Sequence, residues 1–335
     1  MVHFWDFEAW GFINTFAVLL LALIVAHVLK ENLKFLKKSL IPTSVLGGLI
    51  LLLIASVYNI ITEDVLFDLE FFGGKGSTTM EIVTYHALAL GFIASTLKKS
   101  EKKFNKSRNV EIFNTGLTTV ASYLMQGALG IAVTMIAVYL FNANVLSGAG
   151  ALLPFGYGQG TGQALNYGTI FEEEYEFAGG AHFGLTIAAL GFLSACIGGV
   201  IYLNILKRKG KLPQDRLTGE GDFTKEIYKD ENEIPTNGGM DKLTVQIILI
   251  AIVYLATFGF MYLIGSLADS LKSTIYGLNF LVGVLLAILL KTILNALNKK
   301  NIIKKQYTNN YLLTRISNTW FDIMIVAGIA VIRID

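Results

Sequence analysis

Between Pro154 and Gln163 the chain reads PFGYGQGTGQ, with glycine at 156, 158, 160 and 162. Glycine has no Cβ, so this alternation leaves backbone amides and carbonyls open to close approach by a ligand. Gln159, Thr161 and Gln163 alternate with the glycines, and Ser147 lies upstream; all four add side-chain oxygens. Bare carbonyls and neutral oxygens suit a hard cation such as Na+. The following ALNYGTI reads as a half-helix starting near Thr161 to Ala164. A helix start presents unpaired N–H groups and the positive end of its dipole, which suits a carboxylate. The candidate binding set is therefore Ser147, Gly156, Gly158, Gln159, Gly160, Thr161, Gly162 and Gln163, with Na+ at Gln159 and Thr161 and no other metal. The same glycines would also serve as a packing device that lets helices approach closely. The spacing G-x-G-x-G-x-G is not the G-x-G-x-x-G of a dinucleotide site, and no lysine follows as in a phosphate-binding loop.

Few other residues carry chemistry. Asp322 falls near the middle of the last apolar segment, where burying a carboxylate is costly, and it joins the candidate set. His86 occupies a comparable place in an earlier segment and reads more simply as a core histidine than as a proton relay. Glu172, Glu173, Glu174 and Glu176 read as a solvated mouth that attracts cations through its field. There is no H-E-x-x-H, no G-x-S-x-G and no Cys/His cluster: the histidines are scattered at 3, 27, 86 and 182, and Cys196 is the sole cysteine. No enzyme site, no disulfide and no nucleic-acid partner is expected. A channel remains the alternative, because pores use similar bare backbone.

What must position these residues is the segment from 145 to 171. It is uncharged and contains Pro154 and glycines 148, 150, 156, 158, 160, 162 and 168. Such a stretch is too broken for an ordinary membrane-spanning helix and too apolar for a solvated loop. Non-helical backbone at membrane depth is tolerated only where protein or a water-filled cavity surrounds it. The segment is expected to be a re-entrant hairpin, with an exposed flexible loop as the other reading.

The surrounding chain is that of a polytopic membrane protein, 53% hydrophobic and only 16% charged over 335 residues. Eight spans are expected: Phe12–Leu29, Leu40–Val57, Ile82–Leu97, one within Val110–Phe141, His182–Leu206, Leu243–Gly265, Ile275–Leu297, and one from Tyr311 still running at Asp335. Basic turns follow the first, third, fifth and seventh, and acidic or neutral segments flank the other ends. The positive-inside rule then places the N-terminus outside and the basic turns in the cytoplasm of a cell whose plasma or inner membrane holds the chain. The glycine segment starts and ends on the outer face. Gly191, Ala195 and Gly199 in the fifth span are spaced four apart, a small-residue face on which the hairpin is expected to pack. Ser44 and Gly48 form a similar pair.

Spans two and seven share VLGGLILLL (Val45–Leu53) and FLVGVLLAILL (Phe280–Leu290), and spans three and eight share a weaker likeness, in opposite orientation. The expected fold class is an all-α inverted-repeat secondary transporter. Residues 1–206 form a first repeat of five spans plus the hairpin, 207–242 a cytoplasmic linker, and 243–335 an incomplete second repeat of three spans. A full second repeat needs two more spans and a second hairpin, so the chain is expected to be part of a longer one.

At 145–206 these features meet a known pattern. The glycine segment followed by EFAGGAHFGLTIAALGFLSACIGGVIYLNILKRKG, and IPTSVLGGLILL (Ile41–Leu52), resemble the glutamate:sodium symporter family. The resemblance implies two inverted five-span repeats, Na+ as coupling ion, uptake of an acidic amino acid and an elevator-like movement. The implied partners are glutamate or a related small carboxylate, Na+ and the lipid bilayer; a homodimer is the assembly considered. Better-known members carry Gly-Gly-His-Gly-Thr in the hairpin, whereas this chain has FGYGQGTGQA, so only Gly160-Thr161 or Gly162 line up. A 2-hydroxycarboxylate or dicarboxylate therefore stays open beside glutamate.

Overall fold

The computed structural model describes residues 3–38, 41–99, 106–143, 145–210, 239–303 and 305–333. The described residues are helical with short connections and contain no strand. Eight long helices match the eight expected spans: α1 (Phe7–Asn32), α3 (Thr43–Thr62), α4 (Gly76–Leu97), α5 (Lys106–Phe141), α8 (Gly180–Arg208), α9 (Lys242–Leu267), α11 (Asn279–Lys299) and α12 (Asn310–Ala330). Shorter helices are α2 (Lys34–Lys38), α6 (Leu153–Gln159), α7 (Thr161–Tyr175) and α10 (Lys272–Gly277). Six helices are long and apolar enough to cross a membrane. Of the other two long helices, α8 is apolar over Gly180–Ala195, and α12 carries Asn310, Arg315, Asn318 and Asp322, which lower its hydropathy. The molecule is an all-α polytopic membrane protein. Most of the expected linker, 211–238, lies outside the described residues.

Compactness divides the chain differently from the sequence repeat. One unit comprises Met1–His86, Lys103–Ile201 and Asp322–Asp335; the other comprises Ala87–Lys102 and Tyr202–Phe321. Helices α4 and α12 contribute a half to each.

The first unit is assembled by glycine. A Cβ on Gly47 would lie 3.1 Å from the Ala22 carbonyl of α1, and one on Gly48 would lie 2.7 Å from Ile329 Cβ of α12. Of the expected Ser44/Gly48 pair, Gly48 makes the contact; the buried Ser44 hydroxyl has no partner among the described residues. Without a solvent-driven hydrophobic effect, helices in lipid gain from such close backbone approach. Of two 3-10 turns between α3 and α4, the second, Glu70–Phe72, lies on α1, where the Asn14 side chain donates to the Phe71 carbonyl at 2.7 Å. The Asp68 carboxylate accepts from Ser77 N at 3.1 Å and so caps the first turn of α4.

The second unit is centred on Ile93, Ala94, Leu97, Ile250, Val253, Ala287 and Leu313. Several of its polar groups pair within the unit. Gln246 donates to the Tyr307 carbonyl at 2.7 Å and accepts from Asn309 N at 3.1 Å. The Ser317 hydroxyl donates to the Gly91 carbonyl at 2.9 Å. Lys291, within α11, donates to the carbonyls of Thr96 and Lys98. A cation there complements the negative end of α4 and satisfies carbonyls that the helix itself cannot.

Candidate functional site

From Ala149 onward the glycine segment is helical except at Gly160, which corrects the expectation of largely irregular backbone. A 3-10 turn covers Ala149–Leu152, α6 follows with Pro154 in its first turn, and α7 resumes at Thr161. Pro is tolerated in the first turn of a helix because its missing N–H is not needed there. Between α6 and α7 stands Gly160, at φ +85° and ψ −170°, a region open only to glycine. Among glycines 148, 150, 156, 158, 160, 162 and 168 it alone has positive φ. The half-helix expected near Thr161 to Ala164 starts at Thr161.

The other glycines mark places where helices touch. A Cβ on Gly150 would enter the Gly130 backbone of α5, and one on Gly156 would lie 2.6 Å from Ile187 Cγ2 and 2.8 Å from Ala188 N of α8. Gly168 meets Gly180, and Gly184 meets the Ala164 carbonyl. Across the hairpin, the rings of Phe155 on α6 and Tyr167 on α7 stack with centroids 3.8 Å apart. The packing face of α8 is therefore Gly180, Gly184, Ala188 and Gly191. Gly191 meets Tyr157 as expected, but Gly199 has nothing within 4 Å, so the face lies nearer the helix start than the sequence suggested.

At the break, two helix ends of opposite polarity come together. The first intrahelical bond of α7 runs from Ala164 N to Gly160 O, so the N–H groups of Thr161, Gly162 and Gln163 precede it. Gly160 has no side chain, and no side chain caps this end. Thr161 and Gln163 are 0% and 2% exposed, and Gly162 is buried. Both polar atoms of the Gln163 side chain lack a hydrogen-bond partner among the described residues. Thr161 lies against Gly328 of α12, where a Cβ would stand 2.7 Å from Thr161 Cβ. Its hydroxyl is 3.5 Å from the Met324 carbonyl, too long to satisfy it well. The closing end of α6 contributes carbonyls, of which that of Gly158 accepts from the Tyr123 hydroxyl at 3.0 Å.

The structure brings Gln159, Gly160, Thr161, Gly162 and Gln163 together at the break. Gly156 and Gly158 stand in α6 as packing positions, the latter beneath the Tyr123 ring. Ser147 is separated from Gly160 by the 3-10 turn and α6, and its carbonyl accepts from the Thr134 hydroxyl at 2.6 Å. Asp322 is exposed on α12, two residues before Met324. Glu172 is not merely part of a solvated mouth. Its carboxylate accepts from Gly179 N and Ala181 N, each at 3.2 Å, and caps the start of α8. Sequence reading also passed over Tyr123, although a polar stripe on α5 was there to be seen. Among the described residues no group of His, Cys, Asp and Glu is placed to hold a metal ion.

A family model described as sodium/glutamate symporter matches residues 9–334, nearly the whole chain. No curated protein and no solved structure matches.

Proposed function

The chain belongs to the sodium/glutamate symporter family, and from that premise we propose that it is a Na+-coupled carrier importing glutamate, or a related small carboxylate, across the cell membrane. The observation that carries the reading is the Gly160 break, with a buried, uncapped helix start on one side and carbonyls on the other. A cargo carboxylate accepts from the N–H groups of Thr161, Gly162 and Gln163. The Gln163 amide supplies a further donor to it and an acceptor for its ammonium group. Na+ lies toward the carbonyl end of α6, with the Gln159 and Thr161 side-chain oxygens completing its shell. The hairpin enters the bilayer from the outer face, and its peptide groups take the place of water around both ions.

This arrangement couples the two cargoes. Unit charges of opposite sign about 4 Å apart attract by ~4 kcal/mol at an effective dielectric of about 20. That corresponds to a factor of roughly 10³ in affinity. The coupling is reciprocal: Na+ raises the affinity for glutamate by the factor by which glutamate raises that for Na+. Membership in a family of transporters points to transport, not catalysis.

The test is uptake of labelled glutamate into proteoliposomes, with and without an inward Na+ gradient. Accumulation is expected with the gradient and none once it is dissipated. Gly160→Val is expected to abolish accumulation while the protein stays inserted; unchanged uptake would remove the hairpin from the site. The absence of the family's histidine from FGYGQGTGQA favours one second reading, a dicarboxylate as cargo. Competition by unlabelled malate stronger than by unlabelled glutamate would select it.

A further inference from the structure

Helix α5 is divided along its length. Its second half, from Gly127 onward, is apolar apart from Thr134 and Tyr139 and is bound to the hairpin through Gly130, Gly150 and Thr134. Its first half carries a polar stripe. Glu111, Asn114, Thr115, Thr118 and Ser122 recur at intervals of three and four, one face of a helix at about 100° per residue. The opposite face holds Phe113, Leu117, Val120 and Leu124, all exposed. The stripe lines an open groove of about 740 Å³ that ends at Tyr123. The Tyr123 hydroxyl donates to the Gly158 carbonyl, two residues from the Gly160 break.

We infer that this groove is a water-filled route by which the coupling cation passes between the cytoplasm and the hairpin tip. The inference rests on the hairpin being the transport site and on the basic turn before α5 being cytoplasmic. Three observations support it. From Glu111 to Tyr123 the helix rises by about 18 Å at ~1.5 Å per residue. That is roughly half of a hydrocarbon core ~30 Å thick, so the groove connects one membrane face to its middle. A polar stripe of this length is costly against lipid, and it is tolerated beside water.

The third observation concerns which cargo the lining suits. The hydroxyls of Thr115, Thr118 and Thr119 donate to the carbonyls four residues earlier, at 2.8, 2.9 and 2.9 Å. A hydroxyl has one hydrogen, so what these three turn outward is lone pairs. A hydrated cation is served by such a surface, and a carboxylate is not.

The experiment is single-cysteine labelling of the full chain in inside-out and right-side-out membrane vesicles, in a Cys196→Ala background. Thr118→Cys and Ser122→Cys are expected to react with membrane-impermeant thiosulfonates applied from the cytoplasmic side. The cationic reagent is expected to react at least ~10-fold faster than the anionic one, after correction for their rates with a free thiol in water. Leu117→Cys and Leu124→Cys are expected to stay unlabelled. Equal labelling of both faces, labelling only from outside, no labelling of inserted protein, or an anionic reagent as fast as the cationic one would each overturn the route. Labelling is scored on the protein and not on uptake. A failure of the hairpin reading, shown by Gly160→Val with intact uptake, is thereby told apart from a failure of the route.

Discussion

Both polar atoms of the Gln163 amide are buried without a partner among the described residues. An unsatisfied buried polar group costs about 1–3 kcal/mol, and a hydrogen bond to a charged ligand is worth about 1.5–3 kcal/mol. Gln163→Leu is therefore expected to leave thermal stability in detergent equal or higher, while Na+-driven glutamate uptake falls at least ~10-fold. Loss of stability with unchanged uptake would make Gln163 a packing residue. Asp322 poses a different question, since its carboxylate is exposed on α12 close in sequence to the Met324 carbonyl beside Thr161. If its charge serves the cation, Asp322→Asn raises the Na+ concentration for half-maximal uptake about tenfold, and uptake titrated against Na+ measures this. The alternation of glycine with Gln159, Thr161 and Gln163 made the break legible in the sequence. It did not separate Gly160, which needs its backbone freedom, from Gly156 and Gly158, which are glycine because Ile187 and Tyr123 leave no room for a Cβ.

The hairpin owes its shape to the same distinction. A glycine inside a helix costs about 1 kcal/mol relative to alanine, which argues against helix in a segment so rich in it. That local preference loses to tertiary contact, because the small residues let α6 and α7 lie directly on α5 and α8. Propensity alone could not show this, since it depends on which backbone lies opposite. A paired substitution separates the two uses. At Gly160 the nearest atom to an added Cβ is Phe192 Cζ at 3.5 Å, an ordinary contact, so only the backbone is strained. Gly160→Ala and Gly160→Val should lower stability by similar amounts, about 1–3 kcal/mol. At Gly156 bulk decides, and Val should be much worse than Ala. The cap of α8 gives a further test. Glu172→Ala removes the acceptor for Gly179 N and Ala181 N and should cost about 1 kcal/mol of stability. Glu174→Ala, at an exposed position, should cost nothing measurable; equal effects would restore the reading of a uniformly solvated acidic mouth.

Among the described residues, hydropathy and charge located each long helix, though α1 and α4 begin five and six residues before the expected spans; the location follows from the cost of placing side chains in lipid. The two compact units were not legible. Their boundaries cut α4 after His86 and α12 after Phe321, and nothing in the apolar run of either helix marks the cut. Contacts such as Ser317 to the Gly91 carbonyl join residues far apart in sequence, and periodicity carries no record of them. Orientation is the property at this scale that the basic turns determine most directly. Lys75, exposed between α3 and α4, stands in the acidic stretch, and Lys300, exposed after α11, stands in a basic turn. In a Cys196→Ala background, Lys75→Cys should be labelled by an impermeant thiol reagent in intact cells, and Lys300→Cys only after the membrane is opened. The reverse pattern would invert the chain and place the mouth of the α5 groove outside. Labelling of both positions from one side would mean that an even number of the helices between them cross, instead of the five (α4, α5, α8, α9 and α11) expected. The even count of crossings between α5 and α8, on which the re-entrant hairpin depends, would then need to be measured again with residues flanking 145–171.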